Sequence, residues 1–174
     1  MSPSKEIDGE ELEVLAAAMA IEEFGIEFYS RLEDCVSGDN GKALMRSLGR
    51  DEAKHKRMLV DLVSRLTGGK DVTEGNVDLA PFGIEPSKVF RSIPGDRCMT
   101  VSEELDALGI GIEVEKSSIK LYADAAEMAT HKDVKERLLQ LENIEKFHLR
   151  TLEDNVQQLK TEGTWYGYTP ILEG

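Results

Sequence analysis

The stretch Arg50-Asp51-Glu52-Ala53-Lys54-His55-Lys56-Arg57-Met58 places a carboxylate and an imidazole three residues apart in a segment patterned as a helix. Residues i and i+3 of a helix share a face, and here that face is apolar. Met45, Leu48, Glu52, His55, Leu59, Leu62 and Leu66 recur at alternating intervals of three and four, the spacing of a buried helical seam. Glu52 and His55 thus stand where leucine belongs. A carboxylate in such a seam is costly unless something pairs with it. Alone, one Glu-x-x-His reads as a solvated helix face; a second copy in register overturns that reading.

The second copy exists. A shift of 93 residues carries Glu52 onto Glu145, His55 onto His148, Glu22 onto Glu115 and Tyr29 onto Tyr122, with Arg57 onto Arg150 and Leu59 onto Leu152. The seams agree: Leu12, Leu15, Met19, Glu22, Ile26 and Tyr29 form the first. Leu105, Leu108, Ile112, Glu115, Ile119 and Tyr122 form the third, and Val134, Leu138, Leu141, Glu145, His148 and Leu152 the fourth. Glu22 and Glu52 are equidistant from Ser37, in a Ser-Gly-Asp-Asn-Gly turn, and Glu115 and Glu145 are equidistant from Thr130. In an antiparallel helical hairpin such residues lie at one height, since both helices rise equally per residue. Each hairpin therefore presents two carboxylates and one imidazole at a single level.

Four carboxylates cannot all ionise in a dry core without cations. Two divalent metals balance them, with the imidazoles as neutral ligands. The predicted ligands are Glu22, Glu52, His55, Glu115, Glu145 and His148, with Glu52 and Glu145 as the natural bridges. This oxygen-rich donor set suits two iron ions, with manganese or zinc as alternatives; a closed structural zinc site draws more often on cysteine. Tyr29 and Tyr122 lie two turns beyond Glu22 and Glu115 on the same stripes. They are placed either to donate hydrogen bonds to ligand carboxylates or to pack simply as core aromatics. Glu23, Glu113 and Glu142 read as solvated surface acids and His131 as exposed.

The net charge of −13 argues against nucleic acid or an anionic membrane as partner. No apolar run approaches the length of a bilayer span, and the amino terminus lacks the apolar core of a signal peptide, so a cytoplasmic location is expected. Cys35 and Cys98 read as free thiols.

In order, residues 1–7 read as irregular, and Asp8-Gly-Glu-Glu11 resembles a capping box for a helix to about Asp34. Asp39 or Asn40 is placed to cap a second helix to about Leu66, ending before Gly68-Gly69. Residues 68–99 carry three of the five prolines and read as a long connection, with a short helix at Pro86 to Arg91. Such length is expected if the second and third helices run parallel, because the chain must return along the bundle. Thr100-Val-Ser-Glu103 is a second capping box, opening a helix to about Ala129, and the fourth helix runs from Thr130-His131 to about Lys160. Residues 161–174 gather the single Trp and two of four Tyr, an aromatic tail expected to pack on the bundle or on a second subunit in a homodimer. The expectation is one all-α domain over 1–174: a four-helix bundle of two repeated hairpins joined by a crossover.

The motifs Ala20-Ile-Glu-Glu-Phe-Gly-Ile-Glu-Phe-Tyr29, Asp51-Glu-Ala-Lys-His55, Glu113-Val-Glu-Lys-Ser-Ser-Ile-Lys-Leu-Tyr122 and Glu142-Asn-Ile-Glu-Lys-Phe-His148 resemble the rubrerythrin-like branch of the ferritin-like superfamily. The resemblance covers all four helices. It implies a ferritin-like bundle, a non-haem di-iron centre and reduction of peroxide or dioxygen in oxidative-stress defence, with electrons from an external donor such as a rubredoxin. The sequence departs from the family twice. No paired Cys-x-x-Cys of a rubredoxin domain is present. Ser118 stands where rubrerythrins carry an additional Glu that helps an iron move between redox states. Alternative readings are a ferroxidase or iron-handling protein, and a non-enzymatic metal-bound scaffold stabilised by its cations.

Overall fold

The computed structural model describes residues 7–69 and 77–167. Expectations for residues 1–6, for 70–76 of the connection and for 168–174 of the tail lie outside the described residues. The described chain forms α1 (Gly9–Cys35), α2 (Asp39–Thr67), a 3-10 turn (Ala80–Phe82), α3 (Pro86–Ser92), α4 (Val101–Met128) and α5 (Lys132–Glu162), with no strand among the described residues. This is the all-helical architecture expected of a ferritin-like bundle.

The helix ends follow local chemistry. Thr100 and Glu103 form the reciprocal capping box at α4. Gly68 and Gly163 close α2 and α5 in the left-handed conformation that glycine adopts without a Cβ clash. Two expected caps are corrected. Gly38, at φ 73°, precedes α2 with no side-chain cap, so neither Asp39 nor Asn40 fills that role; Asp39 instead lies in the first turn, where the helix dipole favours its charge. Asp8 accepts from Glu10 N, but Glu11 does not reach back to complete a box. The Glu11 carboxylate crosses to the α4–α5 turn, accepting from Thr130 N at 2.5 Å and lying 2.8 Å from His131 Nδ1. His131 is therefore half-buried rather than exposed.

Packing is closest within the hairpins α1–α2 and α4–α5, which meet through α1 against α4 and α2 against α5. Tyr29 bonds Glu115 while Tyr122 bonds Glu22, so α1 and α4 run antiparallel. It follows that α2 and α4 are parallel, the geometry that demands a long return. The return is not structureless: Leu79, Ile84, Ile93 and Met99 are buried with Phe24 and Phe28, and Phe90 stacks on Phe24 at 5.4 Å.

The core has two apolar parts. One, toward the α1–α2 turn, includes Phe28, Leu32, Leu44, Leu48, Leu108, Leu152 and Trp165. The other, toward the α4–α5 turn, includes Leu15, Met19, Leu59, Leu62, Leu138 and Leu141. Trp165 packs on the start of α2, where a Cβ on Gly41 would come within 2.7 Å of the indole. Between the two apolar parts lies a polar layer.

Candidate metal centre

That layer is built by the seams. Glu22, Glu52, His55, Glu115, Glu145 and His148 all fall on buried helical stripes and are at most 5% exposed. They converge into two groups of potential ligand atoms: Glu22, Glu52, His55 and Glu145, and Glu52, Glu115, Glu145 and His148. Within each group the ligand atoms lie within 4.8 Å of one another. Glu52 and Glu145 belong to both. His55 Nδ1 lies 2.9 Å from Glu145 Oε1 and 3.4 Å from Glu22 Oε2; His148 Nδ1 lies 2.9 Å from Glu145 Oε2 and 3.1 Å from Glu52 Oε1. The imidazoles face each other with centroids 5.5 Å apart.

Proximity here does not satisfy these atoms. Glu22 Oε2, Glu52 Oε1, both Glu145 oxygens and the Nδ1 atoms of His55 and His148 are buried without a hydrogen-bond partner. Buried polar atoms are nearly always paired, and six orphans aimed at one another match the donor set of a pair of cations. The groups fit a di-metal site.

The outward-facing atoms, by contrast, are held. The Tyr29 hydroxyl donates to Glu115 Oε1 and the Tyr122 hydroxyl to Glu22 Oε1, each bond spanning the two hairpins. The tyrosines thus hold carboxylates of the opposite repeat, not those on their own stripe. Two further residues escape sequence reasoning. Asp51 Oδ2 places a carboxylate 3.5 Å behind His148 Nε2, at ion-pair distance but without a hydrogen bond to that nitrogen; its position before Glu52 gave no sign of reaching α5. Gly25 leaves room for Glu52, since a Cβ there would meet Glu52 Cγ at 3.0 Å. A glycine inside a long helix is the signal that could have found it. Ser118, the repeat-related position, donates to Val114 O at 3.2 Å and adds no carboxylate to the layer. Glu23 and Glu113 are exposed, as expected of solvated acids, while Glu142 is half-buried and paired with Lys146.

The electrostatics follow from burial and crowding. Burial, then the Glu52 and Glu145 charges, raises Glu22 well above the ordinary carboxylate range, and burial with Glu145 and Glu52 does the same to Glu115. Burial opposes the ionisation of Glu52 too, but the neighbouring Glu22, His148 and His55 groups outweigh it and hold Glu52 low. His55 and His148 are raised against burial by the surrounding carboxylates. Burial and carboxylate neighbours raise both tyrosines, which therefore keep their protons. Asp51 is lowered to about 2 despite burial, by His148 and Lys54.

Comparison with known proteins agrees. The chain is similar in structure to a hypothetical protein from Pyrococcus furiosus, with a TM-score of 0.72 and 21% identity over 86% of this chain and 90% of that one, a likeness of fold. No curated protein sequence matches. No helix among the described residues is long and apolar enough to cross a membrane. The rubrerythrin family model matches residues 13–155, from the first seam of α1 to the last turns of α5, and takes in every residue of the polar layer. By that match, and with a buried carboxylate–histidine cluster suited to two metals, the chain belongs to the rubrerythrin family.

Proposed function

We propose that the protein is a non-haem di-iron oxidoreductase that reduces hydrogen peroxide, or dioxygen, with electrons from an external donor of the rubredoxin type. The observation that carries this reading is the convergence of six partnerless ligand atoms into two groups that share Glu52 and Glu145. In this reading Glu22 and His55 would hold one iron and Glu115 and His148 the other, with Glu52 and Glu145 available to both. Such a centre, when loaded with two ferrous ions, would supply the two electrons that peroxide needs, with two protons, to become two waters.

The chain's own groups do the rest. Tyr29 and Tyr122 fix Glu115 and Glu22 by hydrogen bonds, so these carboxylates are positioned before any oxidant arrives. His148 directs Nδ1 inward, with the Asp51 carboxylate 3.5 Å behind its Nε2. Apolar packing on both sides of the layer keeps water from competing for the carboxylates.

The test is metal content per chain by elemental mass spectrometry, on protein from iron-supplemented cells, beside a Glu52→Ala/Glu145→Ala double variant. About two irons per chain, lost in the variant, is the expected result. Anaerobically reduced protein should then reoxidise rapidly with one peroxide per centre. Oxidation of many irons per chain would shift the assignment to iron handling, and metal that stays redox-silent would leave a structural scaffold.

A further inference from the structure

The two cysteines of the chain, both free thiols here, lie far apart in sequence, and the fold brings their backbones together. Cys35 closes α1, and Cys98 sits at the end of the crossover, two residues before the Thr100 cap of α4. Met99 N–H donates to Cys35 O at 2.8 Å. In a trans peptide the N–H lies on the same side as the preceding Cα, so this bond sets the Cα of Cys98 beside the Cys35 carbonyl. Two Cα atoms related in this way fall within the roughly 4.4–6.8 Å that a disulfide spans.

The side-chain environment agrees. The Cys35 thiol is directed at the crossover, with Pro94 O at 2.7 Å and Arg31 O at 3.1 Å as acceptors. Cys98 is exposed, and its backbone is held by Arg97, which donates to Cys98 O at 3.0 Å while forking onto Glu103 at 2.8 and 2.6 Å. Burial, Asp34 and the nearby Cys98 raise the Cys35 thiol, so the buried partner is the poorer first nucleophile.

We propose that Cys35 and Cys98 form a reversible intramolecular disulfide, a thiol redox site separate from the metal centre, with hydrogen peroxide as oxidant. The exposed Cys98 sulfur, as thiolate, attacks one peroxide oxygen, the O–O bond breaks, and Cys98 becomes a sulfenic acid while the departing hydroxide takes up the proton the thiol had lost and leaves as one water. The Cys35 sulfur then attacks the Cys98 sulfur. The S–O bond breaks, and the departing hydroxide takes the Cys35 proton as a second water. Two thiols have lost two electrons and two protons, and one peroxide has become two waters. A reducing thiol reverses the reaction by exchange. Because the bond joins the end of α1 to the entry of α4, it closes the whole of α2 and the crossover into one covalent loop.

The test treats the metal-loaded protein with hydrogen peroxide in excess over metal, then blocks free thiols with iodoacetamide and maps the peptides. Expected are the loss of two hydrogens from the chain, a cross-linked Cys35–Cys98 peptide pair, and recovery of both thiols with dithiothreitol. The oxidised form should melt roughly 5 °C or more above the reduced one. Glutathione disulfide, which draws no electrons from the metal, should give the same bond. Cys35→Ser should leave Cys98 trapped as a sulfenic acid that dimedone labels, while Cys98→Ser should leave Cys35 reduced. Sulfinic acid on Cys98 of the native chain, a disulfide-linked dimer, or two free thiols after both treatments would overturn the proposal. A bond formed with glutathione disulfide but not with peroxide would overturn the peroxide step.

Discussion

Replacing Gly25 by alanine sets two effects of known sign against each other. A glycine inside a helix costs about 1 kcal/mol relative to alanine, so on backbone grounds Gly25→Ala stabilises. At this position, however, the new Cβ would stand 3.0 Å from Glu52 Cγ, 3.3 Å from its Cδ and 3.3 Å from Oε2. Ordinary carbon–carbon contact is about 3.5–4.0 Å, so Glu52 must retreat by about half an ångström. Crowding of this kind costs about 1–3 kcal/mol, which matches or exceeds the backbone gain. Metal-free stability should therefore be unchanged or fall by up to about 2 kcal/mol. Metal affinity has no such compensation, because Glu52 belongs to both ligand groups. A displaced shared carboxylate should weaken binding by about 10–100-fold. Gly109→Ala is the control: a Cβ there meets nothing within 4 Å, so it should add about 1 kcal/mol and leave affinity unchanged. Urea denaturation with a chelator, and metal titration against a chromophoric competitor, separate the two quantities. If Gly25→Ala binds metal as tightly as the parent, the reasoning that Glu52 is shared and tightly placed is refuted.

Tyr122→Phe removes the donor to Glu22 Oε1 and should destabilise the fold by about 1–3 kcal/mol in urea, since the buried acceptor is left unpaired; no change would show the bond to be dispensable. The pH dependence of the metal-free protein has a definite sign. Glu22, Glu115, His55 and His148 are all raised, so their contribution is fully present below their unfolded values, 4.5 for Glu and 6.5 for His, and is lost as pH rises through the folded ones. Urea midpoints measured with a chelator should thus fall from neutral to alkaline pH, while metal affinity rises over the same range as cations displace these protons; the reverse trend in either would contradict the assignment. Gly41→Ala would force the Trp165 indole from its seat, and the emission of this single tryptophan should shift to the red as water reaches it.

Much of the polar layer was legible because it broke a rule. Glu52, His55, Glu145 and His148 stand on seams otherwise made of leucine, and the repeat at 93 residues turned four exceptions into a pattern. Thr100 and Glu103 marked the start of α4 for the same reason that they fix it: the cap is local chemistry. What sequence could not carry was contact between distant segments. Glu11 has the spacing of a capping box with Asp8, yet the α4–α5 turn competes for its carboxylate and wins. Nothing local says that Tyr29 reaches Glu115 rather than Glu22, because that choice is made when the hairpins dock. Asp51 is the same case: it becomes a partner of His148 only through tertiary packing.

The sharing of Glu52 and Glu145 has a consequence for inheritance. When a chain carries two copies of one motif, each copy is ordinarily free to change so long as it serves itself. Here neither copy is self-sufficient, because each group of ligand atoms is completed by one carboxylate from the other half. A change in either half is felt by both groups at once, so drift in one copy has no silent route at these positions. The two halves can differ in loops, caps and surface while remaining bound to a common wording in the polar layer, and that wording is what makes the repeat readable.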